Sequence, residues 1–460
     1  MGEAPKRNRL VLCFDGTSNR FQANSADTNI VKIYEMLDRE TDDQYHYYQP
    51  GIGTYDAGGP ITNTRYWSAF SKAWSGLKAK LDEGFAFSFA EHVMAGYKFL
   101  MRYYANGDDI YIFGFSRGAY TARVLAEMIH DIGLLSRGNE EHVSFAWYKW
   151  SDYCRAGYLD KDWQYIQDYK KTFCRKDVKV HFLGLFDCVN SVANLEVPLF
   201  RRISPYIRCP PASHIRHAVS IHERRAKFKP TLFLLAKQSH EEKEEPVDLQ
   251  ERWFAGNHGD VGGGWPNAPD AYALSEIALK WMVDEVREVD KRKVEHSPQK
   301  NPLAWHQEDP EDSDKGLDGL ERRVRQINDG LESGKAKAKH LGLIKHDLLV
   351  RGGGSTWLGR RFWWLLELLP LSHFELDGGN WVQPWSPNLG GLRDILHGVT
   401  IDPSIDRLVH AGVLSEHERP FFGDKPYRGY PYRGFWNLWG LIGRKKPKTE
   451  QSTVHGDTRA

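Results

Sequence analysis

Short apolar runs alternate with amphipathic stretches along the first two thirds of the chain. Arg9–Phe14 (RLVLCF), Tyr45–Gln49, Ile110–Phe113 and Val178–Phe186 (VKVHFLGLF) are brief and rich in β-branched and aromatic residues, which predicts buried strands. Asn29–Arg39, Leu77–Tyr104, Arg117–Ile132, Trp147–Tyr169 and Leu274–Val286 carry apolar residues at helical spacing. Within Arg117–Ile132, Val124, Leu125, Met128, Ile129 and Ile132 fall on one face and Gly133 closes the run. Ile215–Ile221 and Thr231–Ala236 fit helix or strand, and Glu251–Ala255 leads into a glycine-rich turn. Strands that alternate with helices predict an α/β fold with a mostly parallel sheet flanked by helices.

The pattern then changes twice. Val289 to about His340 is dense in Lys, Arg, Asp and Glu and poor in large apolar residues, which reads as a solvated insertion, helical in part or disordered. Gly352–Leu369 is the reverse, with Trp357, Phe362, Trp363 and Trp364 beside Arg360 and Arg361, and a second aromatic patch holds Trp436 and Trp439 ahead of a basic run. The expected organisation is a catalytic core over 1–290, a charged insertion over 291–340, a Trp-rich cap or lid over 341–443 and a disordered polar tail over 444–460. Tryptophans beside arginines suit either a lid packed on the core or a membrane interface.

Composition narrows the partners. With 62 Lys and Arg against 61 Asp and Glu, the net charge of +1 gives no global case for nucleic-acid or membrane attraction. The five cysteines form no CxxC pair and no zinc spacing, which suits a reducing, cytoplasmic compartment. No signal peptide or membrane-spanning run is read, so membrane association would be at the surface. Oligomeric state is not legible.

The chemistry concentrates at Gly114-Phe115-Ser116-Arg117-Gly118, between a predicted strand and a predicted helix. That placement is the geometry of a nucleophile elbow, and it puts the backbone N–H of Arg117 where an oxyanion would form. A serine needs a base, usually a histidine oriented by a carboxylate. Asp187 ends a predicted strand and His258 lies in a glycine-rich loop, so Ser116, Asp187 and His258 follow the α/β-hydrolase order. Asp260 is an alternative orienting acid, or a structural anchor for the glycine turn. The turn Asp15-Gly16-Thr17 offers the second oxyanion donors at Gly16 and Thr17, with Asp15 as organiser of the loop. No cofactor or metal is required by this scheme. Two other readings compete with it: a metal-dependent phosphohydrolase built on His258 and Asp260, and a hydrolase fold that only binds lipid or protein. A haloacid-dehalogenase reading of Asp15-Gly16-Thr17 fails because Cys13 stands where the nucleophilic aspartate belongs.

FDGTSN (14–19), GFSRGAYTAR (114–123), FDCVNSV (186–192) and WFAGNHGDVGGGW (253–265), followed by LSEIALKWMVDE (274–285), together resemble the DUF2235 family, which includes the catalytic domain of Tle1-like phospholipase effectors. The resemblance implies an α/β-hydrolase-like fold and a Ser-Asp-His triad at Ser116, Asp187 and His258. FDCVNS departs from the more usual Asp-Thr-Val form at Cys188. The implied activity is hydrolysis of carboxylic esters, of lipid or phospholipid class, through an acyl-enzyme.

Overall fold

The first strand, β1 (Arg9–Phe14), is buried along its whole length. Leu10, Leu12 and Phe14 enter one apolar cluster, while Val11 and Cys13 enter another on the opposite side. A strand covered on both faces belongs inside a parallel sheet clad by helices, which is why its sequence is continuously apolar rather than alternating. The computed structural model describes residues 7–16, 19, 21–51, 74–155, 160–189, 206–207, 211–235, 248–268, 271–296, 301–307, 315–369, 371–372, 375–377, 380–382, 385–395 and 398–420.

The main sheet continues through β2 (Gln44–Gln49), β3 (Asp109–Phe115), β4 (Val180–Phe186), β5 (Ala212–Ser220), β6 (Asp248–Phe254) and β7 (Thr400–Ile401). Its seven strands run in the order β7-β6-β5-β4-β3-β1-β2. Every neighbouring pair is parallel. The order reverses at β1, between β2 and β3, and ligands of open α/β sheets collect at the carboxyl ends of strands near such a switch point.

Helices α1 (Asn29–Met36), α2 (Trp74–Tyr103), α3 (Arg117–Ile132), α4 (Val143–Arg155), α5 (Asp160–Phe173), α6 (His258–Gly262) and α7 (Ser275–His296) follow in chain order, then α8 (Gly316–Glu332), α9 (Lys335–His340), α10 (Trp357–Leu368) and α11 (Ser404–His410). The first apolar cluster takes residues from α2 to α5, and the second takes residues from α1, α7, α8 and α11.

Two expectations need revision. The charged stretch 291–340 is not a solvated insertion throughout. In α8, Leu317, Leu320, Ile327 and Leu331 are buried in the second cluster, and the charges occupy the outer face. The C-terminal region is also more than a cap, because β7 pairs with β6 inside the main sheet, with Trp253 opposite Ile401. The core thus draws on residues well beyond 290. The second aromatic patch, with Trp436 and Trp439, and the 444–460 tail lie outside the described residues.

Candidate active site

The carboxyl ends of the strands bring the predicted site residues together. Ser116 is the N-cap of α3, and its φ of 59° and ψ of −124° place a non-glycine residue in the left-handed half of backbone space. The flanking glycines explain how the turn closes. A Cβ on Gly118 would fall on the carbonyl oxygens of Phe14 and Asp15, and one on Gly114 would lie 2.6 Å from the Cα of Ala119. Strand and helix therefore approach more closely than any side chain allows.

Asp187 follows β4, also at positive φ (41°), with its N–H donating to the Ala218 carbonyl at 2.7 Å. His258 opens α6, whose N-cap Asn257 makes a reciprocal capping box with Asp260. The His258 ring spans the two other residues: Nε2 lies 2.7 Å from Ser116 Oγ and Nδ1 lies 2.6 Å from Asp187 Oδ2. All three residues are buried. The Phe115 ring stacks on the imidazole with centroids 4.7 Å apart, and Phe228 meets it edge-on at 4.8 Å. The ring is thus fixed in plane by hydrogen bonds and across its plane by aromatic faces.

Electrostatics polarise this chain. Burial pushes the His258 imidazole below the ordinary histidine range, and the Asp187 carboxylate only partly offsets that. Burial alone would raise the Asp187 carboxyl, but the Arg393 guanidinium and the His258 hydrogen bond hold it well below the usual carboxylate range. Arg393 binds both carboxylate oxygens, at 2.5 and 2.8 Å, and Ser220 donates its N–H to Asp187 Oδ1 at 2.8 Å.

Asp260 is not placed on the His258 ring. Its carboxylate accepts from the Asn257 N–H at 2.9 Å, from the His346 N–H at 2.9 Å and pairs with His346 Nδ1 at 2.6 Å. Trp265 stacks on His346 at 4.2 Å. Asp260 shapes the turn from which His258 projects, and Asp187 is the carboxylate that meets the imidazole. With both ring nitrogens of His258 so engaged, His258 and Asp260 do not share a site. Among the described residues, no group of three or more His, Cys, Asp or Glu side chains is arranged to hold a metal ion.

Gly16 lies against the serine, for a Cβ there would come within 3.1 Å of Ser116 Cβ. Its N–H donates to the Asp15 carboxylate at 2.7 Å, and that carboxylate also accepts from Thr28 Oγ1 and Tyr48 Oη, each at 2.9 Å. Asp15 therefore ties the loop to α1 and β2, and it holds the Gly16 N–H that an oxyanion would compete for. Arg117 begins α3, at the positive end of the helix macrodipole. Thr17 lies outside the described residues.

Sequence reasoning passed over Glu223, Arg225, Phe228, His346 and Arg393. Glu223 accepts from the His258 N–H at 3.2 Å and pairs with Arg225, whose guanidinium sits 3.6 Å from the Phe228 ring centroid. No local pattern announces these residues, which gather only because the segment after β5, the α9–α10 loop and the loop after α10 converge.

A parallel sheet with a strained serine at the β3–α3 turn defines an α/β-hydrolase-like protein. Residues 8–285 match the model of the type VI secretion phospholipase effector Tle1-like catalytic domain, and the chain belongs to that family. It is 29% identical over 567 aligned positions to an uncharacterized protein, YEL023C, of Saccharomyces cerevisiae, across 90% of this chain and 82% of that protein. Among solved structures it overlaps an uncharacterized protein from Pseudomonas aeruginosa (TM-score 0.37, 17% identity, 75% of this chain and 57% of that one). It also overlaps the Tle1 effector bound to the VgrG spike of the Type 6 secretion system (TM-score 0.29, 18% identity, 57% of this chain and 52% of that one). The chain thus spans little more than half the length of either structure.

Proposed function

We propose that the protein is a serine hydrolase of carboxylic esters, acting on lipid or phospholipid through an acyl-enzyme. The observation that carries this reading is the hydrogen-bonded chain from Ser116 through His258 to Asp187 at 2.7 and 2.6 Å, at a strained strand-to-helix turn. Ser116 Oγ attacks the ester carbonyl carbon while its proton passes to His258 Nε2. The tetrahedral oxyanion is met by the Arg117 N–H, with the Gly16 N–H as second donor once it exchanges its bond to Asp15. Collapse breaks the ester C–O bond, and the leaving alkoxide takes the proton from His258. Water then repeats the sequence on the acyl-serine, releasing the fatty acid and restoring Ser116. Asp187 keeps the imidazole in the tautomer that presents an acceptor to the serine and stabilises the imidazolium.

A lipid substrate is supported by membership of a phospholipase effector family and by α10. Its inner face is anchored, since Trp363 packs edge-on against Phe228 at 5.7 Å and Trp364 donates to the Leu349 carbonyl at 2.9 Å. Its outer face leaves Trp357, Leu358, Phe362 and Leu365 exposed beside Arg360 and Arg361, so a membrane surface is contacted by these residues and not by Trp363 or Trp364. No helix among the described residues is long and apolar enough to cross a membrane.

The test is fatty-acid release from phosphatidylglycerol and phosphatidylcholine vesicles. Ser116→Ala and His258→Ala should each lower the rate by roughly 10³-fold or more. Wild-type rates in folded Ser116→Ala would refute the proposal.

A further inference from the structure

Arg393 lies in the loop between α10 and β7, more than a hundred residues beyond the stretch that matches the catalytic-domain model. Its side chain is nonetheless buried against the acid of the site. The two terminal nitrogens fork onto both oxygens of Asp187, at 2.5 and 2.8 Å. Their remaining bonds go to the carbonyls of Ser220, at 2.9 Å, and of Phe228, while Nε has no acceptor among the described residues. Each of those partners bears on the imidazole. Asp187 holds Nδ1, the Ser220 hydroxyl and N–H meet the same carboxylate, and Phe228 packs on the ring.

We propose that Arg393 is a positioning residue that keeps Asp187 ionised and correctly turned beneath His258, so that the C-terminal region completes the hydrolytic site and sets the lowest pH at which it works. This rests on the reading of Ser116 as the nucleophile. A carboxyl group with no exposure to solvent takes up a proton unless a cation compensates it. Among the described residues, Glu223 and Arg225 also bear on His258, with opposite signs, and Arg393 acts on Glu223 as well. Glu223 and Arg225 neutralise one another through paired hydrogen bonds of 2.8 and 2.7 Å. Burial pushes the thiol of neighbouring Cys188 up to about 12, so it carries no charge at working pH. Among the described residues, Arg393 is the arginine or lysine bonded to Asp187. An arginine fork suits the task, because its planar pair of donors fixes the carboxylate's rotation as well as its charge.

Loss of the guanidinium has one sign on the acid side of the pH profile. If Asp187 gains a proton, the site lacks its orienting anion at low pH. If Asp187 stays ionised, its field on His258 is no longer opposed and the imidazole protonates at higher pH. Both effects move the acid limb upward.

The experiment measures the second-order rate of fluorophosphonate labelling of Ser116 between pH 4.5 and 9 in the full chain, for wild type, Arg393→Gln and Arg393→Lys, with circular dichroism recorded on each sample. In Arg393→Gln the acid limb should move up by about one pH unit or more. In Arg393→Lys, which keeps the charge but not the fork, the limb should stay near wild type while the plateau rate falls several-fold. A folded Arg393→Gln whose profile has the wild-type shape, whether superimposed or uniformly lowered, would overturn the inference. If Arg393→Gln does not fold, Arg393→Lys decides: an unchanged plateau overturns the positioning role. Wild type that never labels at Ser116 overturns the hydrolase reading itself and is recognised before any variant is compared.

Discussion

Ser116 and Asp187 both sit at positive φ, at 59° and 41°, in residues with no glycine-like freedom. Such strain persists only where the surroundings over-determine it, and here it is met at both ends of one hydrogen-bonded chain. The depressed basicity of His258 has a measurable consequence. A base whose pKa is lowered stays unprotonated further into acid, so the acid limb of kcat/KM should lie below the ordinary histidine value of about 6.5. A limb at or above that value would contradict the burial argument. Asp15 titrates in the opposite sense, since burial pushes its carboxyl up to about 6 against the hydrogen bonds of Gly16, Tyr48 and Thr28. A raised carboxyl contributes stability that is present below its unfolded value and lost as pH rises through about 6. Relative to wild type, Asp15→Asn should therefore gain on the order of 2 kcal/mol between pH 4 and 7.5 in urea titrations. A difference that is flat across that window would show that Asp15 is not held as described. At this scale the serine and the histidine were legible because each lies in a local glycine-bounded motif. The choice between Asp187 and Asp260 was not, since each acid's partner is set by chain segments far away in sequence.

Among elements, the β3–α3 turn depends most directly on residue size. An alanine at Gly118 would place its methyl on the backbone oxygens at the end of β1, where nothing can rotate aside. Gly118→Ala should lower ester hydrolysis at least about 10-fold and lower the melting temperature by several degrees. Gly262→Ala should reduce hydrolysis by a different route, because its Cβ would fall on the Phe115 ring that stacks against His258. Wild-type activity in either variant would contradict a role for these close approaches in holding the site. For α10, the aromatic density was legible but its orientation was not. Trp363 and Trp364 turn inward to Phe228 and Leu349, and the outward face includes Leu358, Phe362 and Leu365 beside Trp357. Replacing those three outward residues by serine should weaken co-sedimentation with anionic vesicles and leave hydrolysis of a soluble p-nitrophenyl ester within about two-fold of wild type. Equal vesicle binding by wild type and variant would remove α10 as the contact.

For the molecule as a whole, the alternation of strands and helices made a parallel sheet legible, and the parallel order explains why Ser116, Asp187 and His258 all lie at the carboxyl ends of its strands. The return of the chain to that sheet through β7 was not legible, because a two-residue strand has no periodicity to read. The burial of α8 was present in the spacing of Leu317, Leu320, Val324, Ile327 and Leu331, but the density of charge around them outweighed it. A chain ended at residue 290 would lose α8, α11, β7 and Arg393 and uncover the second apolar cluster. It should be insoluble or lack a cooperative thermal transition. A stable, active 1–290 fragment would contradict the integration of the C-terminal region.

The central claim is that Ser116 is an activated nucleophile. Intact-protein mass spectrometry after treatment with a fluorophosphonate, in the presence of detergent or liposomes, tests it most directly. One adduct, mapped to Ser116 and absent from Ser116→Ala and His258→Ala, is the predicted result. No adduct under either condition, or an adduct that persists in folded Ser116→Ala, would contradict it.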